Sequence, residues 1–142
     1  MKEPAENKIE QKQPGNVIER PGPDYTMRID YMWHDEICTV IFVDFAHEQI
    51  AIQNYTDDLL FRAFGVVEEP AWEDFDYFLR SRCFPGSRGY AKQILRALKI
   101  DFYDPLQIVE ATDGKMAEDN MHMVFHTFPR GETYHANDQI NH

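Results

Sequence analysis

The sequence predicts an α+β domain, with strands first, helices afterwards and a closing strand. Three observations carry that prediction. Apolar residues recur with a period of two from Met27 to Ile52, and the period becomes helical after Asn54. The apolar content of 43%, with ten Phe, seven Tyr and two Trp, suits a chain that can fill a core. Segregated strands and helices belong to the α+β class, whereas alternation would predict a parallel α/β sheet. At 142 residues the chain is sized for one domain. In detail the pattern reads as a short antiparallel three-stranded meander and a bundle of about four short helices, closed by a further strand.

The elements follow in order. Residues 1–24 are polar and punctuated by Pro and Gly, ending in Arg20-Pro21-Gly22-Pro23-Asp24, so they read as a flexible leader. The domain spans 25–128, and 129–142 reads as a flexible tail. Met27, Ile29 and Tyr31 alternate with Arg28 and Asp30, which predicts a strand with one buried face, prolonged by Trp33. His34-Asp35-Glu36 makes a turn. Residues 37–43 are β-branched and apolar on both faces, as in a central strand. Ala46-His47-Glu48-Gln49 turns the chain again, and Ile50 and Ile52 point inward from a third strand.

Helical signals come next. Thr56 is placed to cap a short helix from Asp57-Asp58, with Leu60, Phe61 and Phe64 inward and Gly65 as its stop. Pro70 starts a second, whose first turns carry Glu73, Asp74 and Asp76 and whose inner face carries Trp72, Phe75, Leu79 and Cys83. Pro85 ends it. Ser87 is a candidate cap for a third helix with Ala91, Ile94, Leu95 and Leu98 inward. Asp104-Pro105-Leu106-Gln107 has the cap, the N1 proline and the N3 side chain of a fourth, which Gly114 ends. Met121 to Phe128 supplies the closing strand.

Charge narrows the function classes. The net charge of −11 argues against direct nucleic-acid binding, whose footprint is basic. The bases are segregated: Arg80, Arg82, Arg88, Lys92, Arg96 and Lys99 fall between Tyr77 and Ile100 with no acid among them. No apolar run approaches the roughly 20 residues of a membrane crossing. Met1-Lys2-Glu3-Pro4-Ala5-Glu6 is not a secretory start, so a cytoplasmic protein is expected. Cys38 and Cys83 read as reduced, buried thiols.

Catalytic patterns are missing. There is no Gly-x-Ser-x-Gly elbow and no P-loop, so no catalytic residue and no cofactor is assigned. His122 and His126 have a spacing that grips zinc on a helix, but in a strand they simply line the face opposite Met121, Met123 and Phe125, and no metal site is assigned. Arg82, Ser87 and Arg88 surround a proline turn leading into a helix, a place where an anion can be held. The alternative is internal pairing of the arginines with Asp101, Glu118 or Asp119. Arg88, Lys92, Arg96 and Lys99 lie on one helix face, as a solvated stripe or a partner-binding surface.

These residues also resemble a known family. Phe78-Leu79-Arg80-Ser81-Arg82, Phe84-Pro85-Gly86-Ser87-Arg88, Ile94-Leu95-Arg96-Ala97-Leu98 and the close from Gly114 to Met121 are similar, in order, to motifs of the N-terminal region of HipA-like kinases. The strands from Met27 to Ile52 match the short sheet that precedes them there. The kinase body has no counterpart in this sequence, and His122-Met123 stands where that family has Trp-Ile. The resemblance therefore implies a non-catalytic accessory or antitoxin-like module that regulates a toxin or kinase-like partner protein through its basic helical face. Two other classes compete: an acidic nucleic-acid mimic that blocks a DNA- or RNA-processing enzyme, and a phosphate-ligand sensor built on Arg82, Ser87 and Arg88. The oligomeric state and the identity of the partner have no signature in the sequence.

Overall fold

The computed structural model describes residues 19–87 and 89–130. It is an α+β fold: a four-stranded antiparallel sheet with three helices packed on one face. The strands are β1 (Met27–Trp33), β2 (Glu36–Asp44), β3 (Gln49–Asn54) and β4 (Met121–Thr127), in the spatial order β3-β2-β1-β4. The helices are α1 (Trp72–Ser81), α2 (Ala91–Leu98) and α3 (Pro105–Thr112). The expected meander is thus β1 to β3, and the closing strand completes the sheet by pairing antiparallel with β1, Ile29 opposite Phe125.

Strand position explains strand composition. β2 is central and buried from Cys38 to Asp44, which is why it is apolar on both faces. Its partner β1 is buried from Met27 to Tyr31. On the inner face Met27, Ile29, Tyr31, Ile41, Val43, Met121 and Met123 meet Phe75, Phe78 and Leu79 of α1 and Ile108 and Val109 of α3. Tyr31 and Phe78 form an edge-to-face pair with centroids 5.0 Å apart. Between Tyr31 and Met32 the register shifts: Tyr31 faces Thr39 and Met32 faces Ile37, leaving Cys38 as an extra residue. The bulge turns the Cys38 thiol into the core, 4% exposed.

Three expectations need correction. The segment 57–64 is not a helix but a series of turns. The Thr56 hydroxyl accepts from Asp58 N, the Asp58 carboxylate accepts from Leu60 N, and Arg62 Nε donates to the Thr56 carbonyl. These local bonds occupy the groups that a first helical turn would use, and so short a segment cannot offset nucleation. Leu60 consequently points to solvent, while Phe61 stacks on Trp33 and Phe64 packs on Phe78. Second, α1 begins after Pro70, with Ala71 at its N-cap, and Asp74 reaches back to accept from Ala71 N. Third, Ser87 caps nothing: α2 starts at Ala91 with Tyr90 as its N-cap and no side-chain cap. Gly89 loses more freedom in a helix than other residues, which fits a start beyond it.

The last helix follows its sequence signals. Asp104 accepts from Leu106 N, Pro105 occupies N1, and Gln107 Nε2 donates to the Asp104 carboxylate. Asp113 and Gly114 leave the helix with φ of 58° and 63°. At Gly114 a Cβ would sit 2.8 Å from Met123 Cγ, so glycine serves both the left-handed turn and the close approach of β4. The neighbouring Asp113 carbonyl accepts from Met123 N at 2.8 Å, which anchors β4 beside α3.

Of the segment expected as a leader, 1–18 lies outside the described residues. Arg20 is buried, and its Nη1 donates to the carbonyls of Tyr25 and Pro129. Residues 131–142 of the expected tail also lie outside the described residues.

Candidate functional site

The acid-free run of bases divides into two environments. Arg82 follows the last turn of α1 and is turned into the protein, 7% exposed. Its Nη1 and Nη2 donate to the two oxygens of Asp119 at 2.7 and 3.1 Å, a bidentate pair. Its Nε donates to the Gly114 carbonyl at 2.9 Å, and its guanidinium lies over the Tyr31 ring. The hydrogen bonds from Arg82 hold the Asp119 carboxyl below the usual aspartate range. Arg82 therefore follows the internal-pairing alternative, and locks α1 to the turn between α3 and β4. Ser87 is exposed in the loop, and Arg88 lies outside the described residues.

Lys92, Arg96 and Lys99 are arranged otherwise. At spacings of four and three they share one exposed face of α2. With Leu95, Ile100 and Asp101 they line an open cleft of about 480 Å³. Lys99 takes the left-handed C-cap conformation, φ 64°, and its N–H returns to the Arg96 carbonyl. Ile100, which follows this turn, is 8% exposed and lines the cleft with Leu95, while Lys92, Arg96 and Lys99 are exposed. Among the described residues no carboxylate lies within ion-pair distance of Lys92, Arg96 or Lys99. Tyr90 and Phe102, which flank α2 in sequence, are 70% and 61% exposed. Aromatic side chains and arginine, here Tyr90, Phe102 and Arg96, are enriched at protein interfaces, whereas lysine is more common at their rims and on the free surface.

The other chemistry-bearing residues are dispersed. His122 and His126 lie on β4, four residues apart, which at about 3.3 Å per residue separates them by about 13 Å, beyond the reach of one ion. His126 Nε2 is 3.1 Å from Asp30, whose other oxygen accepts from Arg28 Nε. His122 lines a second hollow of about 520 Å³ with Glu110, Asp113 and Lys115. Cys83 is buried against the Leu79 carbonyl, and burial pushes its thiol up to about 11. Burial likewise raises the Cys38 thiol, and both cysteines are free. Neither has the depressed pKa of a nucleophile.

One group of donors was passed over in the sequence. Asp24, Asp44 and His47 converge where β1 begins and β2 ends. The turn after β2 joins Asp44 and His47 locally, and the pairing of Met27 with Val43 brings Asp24, from the segment expected as leader, beside them.

No helix among the described residues is long and apolar enough to cross a membrane. Comparison of the chain with known protein families, curated proteins and solved structures returns no match.

Proposed function

We propose that the chain is a non-catalytic accessory module that regulates a partner protein, docking it through the basic face of α2. The observation that supports this most is the cleft lined by Lys92, Arg96 and Lys99 with Leu95, Ile100 and Asp101, where the three cations have no carboxylate at ion-pair distance among the described residues. Long-range attraction to an acidic partner would set the encounter rate, and Leu95 and Ile100 would supply burial once docked. The resemblance to the N-terminal region of HipA-like kinases points to a kinase-like or toxin partner, with this chain in an antitoxin-like role in the cytoplasm. The phosphate-sensor reading has less support, because Asp119 already occupies the Arg82 guanidinium fork.

The test is affinity capture from the native host with wild-type protein and a Lys92→Glu/Arg96→Glu/Lys99→Glu variant, followed by binding measurements with the purified partner. One protein recovered with wild type, and bound at least about 10-fold more weakly by the variant, is the expected result. A partner bound equally by both would move the interface to the acidic surface and favour mimicry of nucleic acid. Competition of that complex by duplex DNA would then decide for the mimic.

A further inference from the structure

Three segments meet at one end of the sheet and bring three metal-ligating side chains together. Asp44 ends β2 and is 1% exposed, His47 stands in the following turn, and Asp24 precedes β1. One ligand atom from each of the three residues lies within 4.8 Å of the other two. His47 Nδ1 is 2.9 Å from Asp44 Oδ2 and 3.6 Å from Asp24 Oδ2.

We infer that Asp24, Asp44 and His47 form a binding site for a divalent transition-metal ion such as Zn²⁺, which ties the entry of β1 to the turn between β2 and β3. The stoichiometry of protons argues for it. A single Nδ1–H serves one carboxylate, and at 2.9 Å that is Asp44, which leaves Asp24 Oδ2 beyond hydrogen-bond distance of the ring. One cation contacts all three atoms once the Nδ1 proton is released to solvent, the imidazole then binding through its Nδ1 lone pair and keeping its proton on Nε2. Metal bonds of about 2.0–2.2 Å set neighbouring ligands about 3.0–3.5 Å apart, close to the two spacings from His47 Nδ1, with all three atoms within 4.8 Å.

The surroundings fit as well. The remaining oxygens are held from outside the set of ligand atoms: Arg130 Nε donates to Asp24 Oδ1 at 3.0 Å, and His47 N donates to Asp44 Oδ1 at 3.0 Å. Gln49 Nε2 donates to Asp44 Oδ2 at 3.2 Å, which also fixes that carboxylate. Outer hydrogen bonds of this kind orient the ligands of metal centres. One imidazole with two carboxylates favours Zn²⁺, Co²⁺ or Mn²⁺ over Mg²⁺ and Ca²⁺, which take oxygen ligands. The His47 side chain is 57% exposed, so an ion enters from solvent and keeps water in its remaining positions.

The test uses the full chain, stripped of metal with a chelator and titrated with Zn²⁺ alone by calorimetry and with Co²⁺ by visible absorption. Wild type should bind one Zn²⁺ saturably and show the ligand-field band of a nitrogen- and oxygen-ligated Co²⁺. His47→Ala, whose exposed side chain leaves folding intact by circular dichroism, should weaken Zn²⁺ at least about 10-fold, and Asp24→Asn should do the same. A His122→Ala/His126→Ala control should bind as wild type does. No saturable binding, or equal affinity in wild type and His47→Ala, would overturn the assignment, as would loss of binding in the control.

Discussion

Arg82 stands ten residues before Lys92 in one acid-free run, yet the two are employed in opposite ways. Arg82 is desolvated and has every part of its guanidinium engaged, by Asp119, by the carbonyls of Gly114 and Met121, and by Tyr31. Lys92, Arg96 and Lys99 are solvated and unpaired among the described residues, lining an open cleft. The difference shows that position in an acid-free run does not decide a cation's environment. Arg82 is drawn into the fold because the chain brings Asp119 and two carbonyls to it, and no such acceptors reach the α2 stripe among the described residues.

Breaking the buried half should have the largest effect. Arg82→Met removes the donor to the Asp119 carboxylate and the Gly114 carbonyl. The Asp119 side chain is 38% exposed and can be resolvated, so the cost is about 1–3 kcal/mol rather than that of a fully buried pair. The midpoint of urea denaturation should fall accordingly. If it moves by less than about 1 kcal/mol equivalent, water replaces the guanidinium readily and the lock is not structural.

A smaller effect of the same contact is its dependence on pH. Arg82 depresses the folded pKa of Asp119, so the ionised acid contributes stability that is fully present above its unfolded value of about 3.9. That contribution disappears as the pH falls through the lower folded value. Wild type should therefore be more stable than Asp119→Asn at pH 7, and the two should converge as denaturation is repeated from pH 4 downward. A gap that stays constant to pH 2 would mean that the carboxylate's charge contributes nothing, and that geometry alone holds Arg82.

How far each half was legible follows from the distance of its partners in sequence. Met27, Ile29 and Tyr31 announce their strand because the period of two is local, and Asp104-Pro105 announces α3 because a cap and its helix are adjacent. The segment 57–64 misleads for the same reason: its apolar spacing looks helical, but Thr56 and Asp58 divert the backbone groups into turns. Arg82 could not be separated from Lys92 by pattern, because Asp119 lies 37 positions away and arrives only through the Gly114 turn. The stripe on α2 was legible as a face, but its cleft was not, since Ile100 lines it from beyond the left-handed turn at Lys99. Asp24 beside Asp44 and His47 is the furthest from legible: the turn holds the last two together, but only the register of β1 against β2 brings Asp24 to them.

The exposed half should be almost silent in stability. Replacing Lys92, Arg96 and Lys99 together by Ala removes three like charges, and at positions 92 and 96 inserts the residue with the highest helix propensity, while position 99 is the left-handed C-cap outside the helix. No described ion pair is lost. Burial is little changed, because the three side chains are exposed and Leu95 and Ile100 remain in place. The expected change is within about 0.5 kcal/mol in urea denaturation, with any shift toward greater stability. A loss above about 1 kcal/mol would show that the aliphatic stems of these side chains cover Leu95 and Ile100 in the free protein. The cleft would then be part of the fold's own packing, and the case for a docking surface would fall with it.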